Sequence, residues 1–204
     1  MGDGTGGEQG VSVRPVTPDR WVDLEALFER TGPRGGMPIP GHCWCMAWRE
    51  NQPSRAARKE GMRDLVDGDR RPGLLAYLDS RPVGWVSVSP RPDFGRLARS
   101  PRLRPAADDA GRVYAIVCFF VDTQARGTGV SGALLDAAID AARAAGATAI
   151  EAYPKGGVAP HALQGGRAEE NDSFMGRRQS YERRGFTAVR EAGARLVMRK
   201  ELRP

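Results

Sequence analysis

A short basic turn at residues 124–129, with the sequence QARGTG, carries the clearest chemical signal in this chain of 204 residues. An apolar run typical of a β-strand, Val113–Val121, ends just before it, and an alanine- and leucine-rich segment typical of a helix begins at Val130. The first N–H groups of a helix have no partner within the helix, and the helix dipole adds partial positive charge there. Glycines let a ligand approach the backbone closely. The turn is therefore predicted to bind a phosphate-bearing ligand.

A histidine and two cysteines form a second chemical candidate at His42, Cys43 and Cys45, and a third cysteine, Cys118, lies inside the apolar run. Zinc sites usually separate paired cysteines by two to four residues and need four ligands. Here one residue separates the pair and no second cluster follows, so we predict no metal site. A nucleophilic Cys43 or Cys45 is a minor alternative, because no partner arrangement is visible. Cys118 is predicted to be a small buried apolar side chain.

The charge balance favours an anionic partner, because Lys and Arg together number 31 and the formal net charge is +6. The basic residues are spread along the chain and no known nucleic-acid motif is present, so nucleic acid is an unlikely partner and a small polyphosphate suits the charge equally well. An odd count of three cysteines does not suggest a disulfide framework, which favours the reducing cytoplasm.

Hydrophobic periodicity predicts the elements that must position these residues. The predicted strands are 11–15, 74–78, 83–88, 113–121, 147–153, 186–189 and 195–198, and the predicted helices are 17–30, 54–68, 130 onward and 174–184. Thr17 and Ser54 are the predicted N-caps of the first two helices. The strand at 147–153 should run parallel to 113–121, because a helix crossover joins them. The fold class is therefore α/β (α+β), a mixed, largely antiparallel central sheet with helices on both faces.

The domain organisation predicted from the sequence is a glycine-rich, disordered leader at 1–10 followed by a single domain at 11–204. Loops are predicted at 32–41, 90–111 and 155–172. The leader lacks the features of a signal peptide. The longest apolar run, Ala115–Val121, is far shorter than the roughly 20 residues of a membrane helix, so no membrane partner is expected.

This element order, together with the basic turn, resembles the GNAT superfamily of acyl-CoA N-acyltransferases. The family pattern is Gln/Arg-x-x-Gly-x-Gly/Ala after a strand, and it wraps the pyrophosphate of coenzyme A in backbone N–H groups. Two registers fit, one beginning at Gln124 and one beginning at Arg126. We prefer the second, because it places Gly129 and Ser131 at the helix N-terminus. The resemblance implies the following cofactor-binding residues: Phe119, Phe120, Val121, Arg126, Gly127, Thr128, Gly129, Val130 and Ser131.

A second segment, YERRGF at 181–186, resembles the Tyr-x-x-x-Gly-Phe ending of the last GNAT helix. In many members that tyrosine protonates the departing thiolate of coenzyme A, which makes Tyr181 the expected general acid. The asparagine that is common seven residues earlier in the family would fall on Phe174 and is absent. The two motifs occur about fifty residues apart in this element order, which makes their combination far more specific than either alone.

The resemblance implies an N-acetyltransferase that transfers an acetyl group from acetyl-CoA to a primary amine of a small-molecule or protein acceptor, without a metal. A backbone N–H near Phe119 or Phe120 would polarise the thioester oxygen. Dimers are common in the family, so a homodimer is one expectation. Two alternatives remain open: a catalytically inactive acyl-CoA-binding sensor or interaction domain, and a basic nucleic-acid-binding protein.

The sequence motifs do not identify the general base or the acceptor pocket of the expected site. Glu151, on the predicted strand next to 113–121, is the first candidate base, with His161 and His42 as further candidates. Many family members use ordered water instead of a single base. Trp44, Met46 and Trp48 either line an acceptor pocket or form a satellite hydrophobic cluster under a long loop.

Overall fold

A computed structural model describes residues 10–31, 36, 39–50, 52–68, 70–103, 112–156 and 175–202. The strands are β1 (Ser12–Pro15), β2 (Gly73–Leu78), β3 (Arg81–Pro90), β4 (Val113–Val121), β5 (Ala149–Ala152), β6 (Thr187–Ala192) and β7 (Arg195–Glu201). They form one seven-stranded sheet in the order β1-β2-β3-β4-β5-β7-β6. Among the described strand pairs, only β4 and β5 run parallel, and the other five pairs are antiparallel. The predicted parallel pairing across the helix crossover is confirmed.

The described α-helices are α1 (Trp21–Glu29), α2 (Ile39–Cys43), α3 (Arg55–Asp67), α4 (Gly95–Arg99), α5 (Val130–Ala144) and α6 (Arg178–Glu182). Ser54 caps α3 as predicted, because its hydroxyl accepts a hydrogen bond from the Ala57 N–H at 3.1 Å. Thr17 lies at the N-cap position of the turn that leads into α1, but its side chain makes no capping hydrogen bond. A 3₁₀ turn at Pro18–Arg20 precedes α1, and the Thr17 hydroxyl accepts from the Arg20 guanidinium at 2.7 Å instead.

The two faces of the sheet bury separate cores, as the alternation of side chains along β2 shows. Leu74 and Ala76 pack with the apolar stripe of α5, whereas Leu75 and Tyr77 pack with α1 and α3. The buried residues of α5 form one apolar stripe: Val130, Leu134, Leu135, Ala138, Ile139 and Ala142. The mixed, largely antiparallel sheet with helices on both faces is therefore confirmed. No helix in the described ranges is long and apolar enough to cross a bilayer.

The central strands β4 and β5 separate after a short ladder. Their parallel pairing runs from Val113 and Ala149 to Ile116 and Ala152. Beyond that point β4 continues to Val121 paired with β3 alone, and the β3–β4 register shifts at Val117. In the described part of the chain, the last five β4 residues therefore have no strand partner on the β5 side.

The predicted loop at 90–111 contains structure that its polar composition concealed. A 3₁₀ turn at Arg91–Asp93 is followed by α4, and both Phe94 and Leu97 are fully buried. Two apolar residues are too few to produce a readable helical period. Similarly, α2 begins inside the predicted loop at 32–41.

The helix predicted from Phe174 is shorter in the structure, where α6 begins at Arg178. Phe174 lies outside the described residues, as do residues 104–111 and most of the predicted 155–172 loop. The terminal hairpin of β6 and β7 matches the prediction. Residues 1–9 of the predicted leader also lie outside the described part.

Candidate functional site

The turn between β4 and α5 is anchored at its first residue, Asp122. The Asp122 N–H donates to the Val83 carbonyl at 2.8 Å, and the carboxylate accepts from the Gln124 N–H at 3.0 Å. The Arg30 guanidinium forms an ion pair with the same carboxylate and donates to the Pro82 carbonyl at 3.2 Å. The end of α1 and the β3 strand therefore hold the start of the turn in place.

Both glycines of the turn adopt left-handed backbone conformations, with φ of 84° at Gly127 and 85° at Gly129. A Cβ atom at either position would meet no atom within 4 Å, so the backbone angle and not the available space favours glycine. Gly129 is the N-cap residue of α5, and the first helical hydrogen bond runs from the Ala133 N–H to its carbonyl at 3.0 Å. The amides at 130–132 precede that bond and are available to an anion. Ser131 thus lies at the helix start, as the preferred motif register requires.

An open cavity of about 400 Å³ adjoins this turn. One wall comes from the end of β4, the turn and the start of α5; another comes from the segment that leads into α6. The described lining residues are Phe119, Phe120, Val121, Ala125, Arg126, Gly127, Gly129, Val130, Ser131, Gly132, Gly176, Arg177 and Ser180. Eight of the nine predicted cofactor-binding residues therefore lie around one space. The ninth, Thr128, turns its hydroxyl to the Ala125 carbonyl at 2.7 Å.

Five of the lining residues were not predicted from the sequence. Ala125 lies within the predicted turn, and Gly132 follows Ser131 at the start of α5. Gly176, Arg177 and Ser180 come from a distant part of the chain, and the tyrosine motif that follows them was the one available signal. Two arginines and no acidic residue occur among the described lining residues, so the cavity wall is suited to an anionic ligand.

Tyr181, the expected general acid, is fully buried beside the cavity and is not among the described lining residues. Its hydroxyl donates to the Met175 carbonyl at 2.7 Å, and its ring contacts Phe119 and Phe186 edge-on. A Cβ atom on Gly176, which does line the cavity, would lie 2.6 Å from the tyrosine oxygen. Burial first, and the nearby Cys118 second, raise the pKa of Tyr181 well above its usual value. The residue therefore holds its proton one glycine away from the cavity.

Glu151, the first candidate base, lies in a closed network. Its carboxylate accepts from Arg91 at 3.0 Å, from Arg199 at 3.2 Å and from the Tyr153 hydroxyl at 2.8 Å. The Glu151 and Arg91 side chains are each less than a tenth exposed. Three donors therefore bond to one buried carboxylate, an arrangement typical of a structural ion pair. The structure brings Glu151 into contact with no described cavity residue of the predicted site.

The two histidines contribute little to the described site. His42 is exposed on α2, and the hydrogen bond that involves it runs from Arg58 to its backbone carbonyl at 3.0 Å. His161 lies outside the described residues.

The tryptophan-rich segment forms a hydrophobic cluster and not a pocket. Trp44 and Met46 are buried in the core beneath α1 and α3, and the Trp44 ring stacks on Trp21 at 5.5 Å between centroids. Trp48 is partly buried against a third cluster around Phe94. Of the two interpretations of this segment, the structure favours the satellite cluster for Trp44 and Met46.

All three cysteines converge in that core. The Cys45 sulfur accepts from the Trp85 indole N–H at 3.1 Å, the Cys43 sulfur accepts from the Cys45 N–H at 3.3 Å, and the Cys45 thiol contacts that of Cys118. The pKa of Cys45 is raised by burial, and the pKa of Cys43 by its contact with the Cys45 thiol and then by burial. A thiolate is thus disfavoured at both, which argues against the nucleophilic alternative. Cys118 is buried as predicted. Within the described ranges, no three His, Cys, Asp or Glu side chains are grouped to hold a metal ion.

The sequence profile of the Acetyltransferase (GNAT) family matches residues 40–160, more than half of the chain. This chain belongs to the GNAT family. Family members are acyltransferases that use acyl-CoA. Acyl-CoA is an anionic ligand, and the turn with free helix amides beside β4 and β5 is suited to an anion. No curated protein sequence matches the chain.

Solved GNAT structures share the fold of this family member at low sequence identity. A ribosomal-protein-alanine N-acetyltransferase from Brucella melitensis is 18% identical, with a TM-score of 0.52 over 94% of this chain and 99% of that one. The polyamine N-acetyltransferase of Drosophila melanogaster is 12% identical, with a TM-score of 0.55 over 95% and 100%. A NatC complex bound to Gag peptide and CoA is 12% identical, with a TM-score of 0.50 over 95% and 99%. These identities show a common fold alone.

Proposed function

We propose that this GNAT protein is an N-acetyltransferase that transfers the acetyl group of acetyl-CoA to a primary amine of a small-molecule or protein acceptor. The observation that carries the proposal is the cavity at the start of α5. It joins a glycine turn, unpaired helix amides and the open edge of β4, and it has the buried Tyr181 hydroxyl directly behind Gly176.

In this proposal the turn holds the diphosphate end of acetyl-CoA. Backbone amides from Gly127 to Ser131 donate to the pyrophosphate, and Arg126 adds a positive charge. The open edge of β4 from Phe119 to Val121 binds the pantetheine arm through its backbone groups. A backbone N–H near Phe119 or Phe120 donates to the thioester oxygen as negative charge develops on it.

Tyr181 acts as the general acid. As the amine nitrogen bonds to the acetyl carbon and the C–S bond breaks, the electron pair of that bond remains on sulfur, and the Tyr181 O–H delivers its proton there. The amine loses a proton to the base. Position supports this role, because the Tyr181 hydroxyl lies directly behind Gly176 of the cavity wall.

Glu151 remains a candidate for that base, in competition with ordered water. The three donors around its carboxylate favour water, because Glu151 already accepts hydrogen bonds from Arg91, Arg199 and Tyr153. A Glu151→Gln variant separates the two: retention of most of kcat in the folded variant removes Glu151 as the base.

The proposed setting is the cytoplasm, because the three cysteines are free thiols and a reducing compartment keeps them so. The proposed partners are acetyl-CoA and an amine; a homodimer is the proposed assembly, and neither nucleic acid nor membrane is included. The named activities of the structural neighbours range from a protein alanine to polyamines, so both acceptor classes are kept.

The test is calorimetric titration with acetyl-CoA, followed by measurement of free thiol release across a panel of polyamines, amino acids and peptides. We expect binding, a higher melting temperature and thiol release with at least one amine. Binding without thiol release from any amine would favour the inactive sensor. Absence of acetyl-CoA binding would refute both, and tight salt-dependent binding of DNA or RNA in its place would favour the third alternative.

A further inference from the structure

We propose that Arg177 is a second phosphate-binding residue of the cavity, which contacts the pyrophosphate of acyl-CoA from the wall that leads into α6. The proposal rests on the proposed function, since it assigns a residue to the same ligand. It concerns a position that neither sequence motif includes.

The backbone of Arg177 is held firmly although its side chain is exposed. Gly176 precedes it with φ of 76° and packs against the Tyr181 hydroxyl, which in turn bonds to the Met175 carbonyl. On the other side, the Ser180 N–H donates to the Arg177 carbonyl at 2.9 Å. The Arg177 side chain is therefore attached to a fixed position of the backbone on the cavity wall.

Two other arginines of this segment, Arg178 and Arg184, have acidic partners, and Arg177 differs from them. Arg178 pairs with Glu182 at 2.6 Å, and Arg184 pairs with Asp136 through two bonds of 2.5 and 2.8 Å. The described residues offer the Arg177 guanidinium no ion pair or side-chain hydrogen bond, and it lines the cavity, whereas Arg178 does not. Arg177 is thus the arginine of this segment that faces a ligand space without a competing carboxylate.

A pyrophosphate bound to the amides of the glycine turn presents its remaining oxygens to the rest of the cavity. A guanidinium can take two of these oxygens in parallel hydrogen bonds. The segment before α6 also contains the position at which the family's asparagine is absent, Phe174. Arg177 would supply a polar cofactor contact from that same segment by different chemistry.

The test compares wild type with Arg177→Ala, Arg177→Lys and the matched control Arg178→Ala. Affinities for CoA, dephospho-CoA and pantetheine are measured by calorimetry, or by NMR titration for the weakest ligand. We expect Arg177→Ala to weaken CoA and dephospho-CoA by about tenfold and pantetheine not at all, because pantetheine carries no phosphate. Arg177→Lys should fall between, since lysine keeps the charge and loses the paired geometry. Arg178→Ala should match wild type.

Unchanged CoA affinity in Arg177→Ala would overturn the assignment while leaving the proposed function intact. Loss for CoA but not for dephospho-CoA would move the contact to the 3′-phosphate and refute the pyrophosphate assignment. Equal loss for pantetheine would show that Arg177 acts through the structure of the cavity. A wild-type protein that binds no CoA would refute the proposed function itself.

Discussion

Two regions of this molecule contain the side chains that first suggest chemistry, and they differ in how those groups are satisfied. At the cavity beside α5, the turn and helix start present backbone amides to an open space of about 400 Å³. In the network around Glu151, a carboxylate, two arginines and a tyrosine bond to one another in the interior. The backbone amides of the first region can still donate hydrogen bonds to a ligand, whereas the side chains of the second region already bond to one another.

The contrast teaches that ionisable residues alone do not identify a site. Glu151 lies between Ile150 and Ala152, which pack on the α5 side, so its side chain leaves the sheet on the other face. There it neutralises the buried Arg91, which would otherwise cost several kcal/mol. The backbone amides at 130–132, at the start of α5, lack such partners within the helix, and a ligand can supply them.

The largest expected effect concerns the closed network. Glu151→Ala should lower the free energy of unfolding by about 3–5 kcal/mol, because it leaves Arg91 buried without its anion. Glu151→Gln keeps an acceptor and should cost less. Urea denaturation followed by circular dichroism measures both. If Glu151→Gln instead lost little stability and most of its kcat, Glu151 would be the base, and the network around it would be part of the active site.

The next effect concerns the open region. Gly129→Val should weaken acetyl-CoA binding by more than about hundredfold, because a β-branched residue resists the left-handed backbone that aims the helix amides. Gly146→Val is the matched control, since Gly146 also has positive φ, at 72°, but follows α5 away from the cavity. Both variants should lose stability by about 1–2 kcal/mol. Equal loss of affinity in the two would show that the turn has no special role.

Removal of one buried hydroxyl from each region gives the third comparison. Tyr181→Phe should lower kcat by about ten- to hundredfold with little change in acetyl-CoA affinity, because it removes the proposed proton donor. Tyr153→Phe removes the hydroxyl that donates to Glu151 and should affect stability but not kcat. Steady-state kinetics and calorimetry measure the two quantities. An unchanged rate in Tyr181→Phe would exclude it as the acid.

The smallest effect concerns the spacing of the cavity walls. The Arg184–Asp136 pair joins the end of α6 to α5 near the surface. Arg184→Ala should cost less than about 1 kcal/mol of stability and lower acetyl-CoA affinity by about two- to threefold. Arg143→Ala, which breaks an exposed pair with Asp140 within α5, is the control and should leave affinity unchanged. If both variants bind acetyl-CoA equally well, the Arg184–Asp136 pair does not set the width of the cavity.

Much of the fold could be predicted from the sequence where the signal is local. The strand, turn and helix from Val113 to Ala144 form a continuous stretch in which periodicity, glycines and apolar runs agree. The Ser54 cap was likewise readable from its neighbours. The elements that were missed, such as α4, contain too few apolar residues to set a period.

Only the part of the candidate site formed by the continuous segment from β4 to α5 could be predicted from the sequence. Arg177 and Ser180 reach the cavity through tertiary packing of α6, which no spacing rule near the turn could indicate. The fate of Trp44 was equally non-local, because a tryptophan beside a loop can line a pocket or fill a core. Burial against Trp21 and Phe28 decided it. Glu151 was located on the correct strand, but two of its three partners, Arg91 and Arg199, come from other elements of the fold.

The convergence of all three cysteines in one core has a practical consequence for measuring turnover. Chromogenic disulfide reagents, which release a coloured thiolate, react with protein thiolates. Cys43 and Cys45 should react slowly in the folded protein, because they are buried and their pKa values are raised. Released coenzyme A should therefore dominate the colour in a continuous assay. The same reagent added with denaturant should titrate three thiols per chain, so one chemical reports both catalysis and loss of the native state.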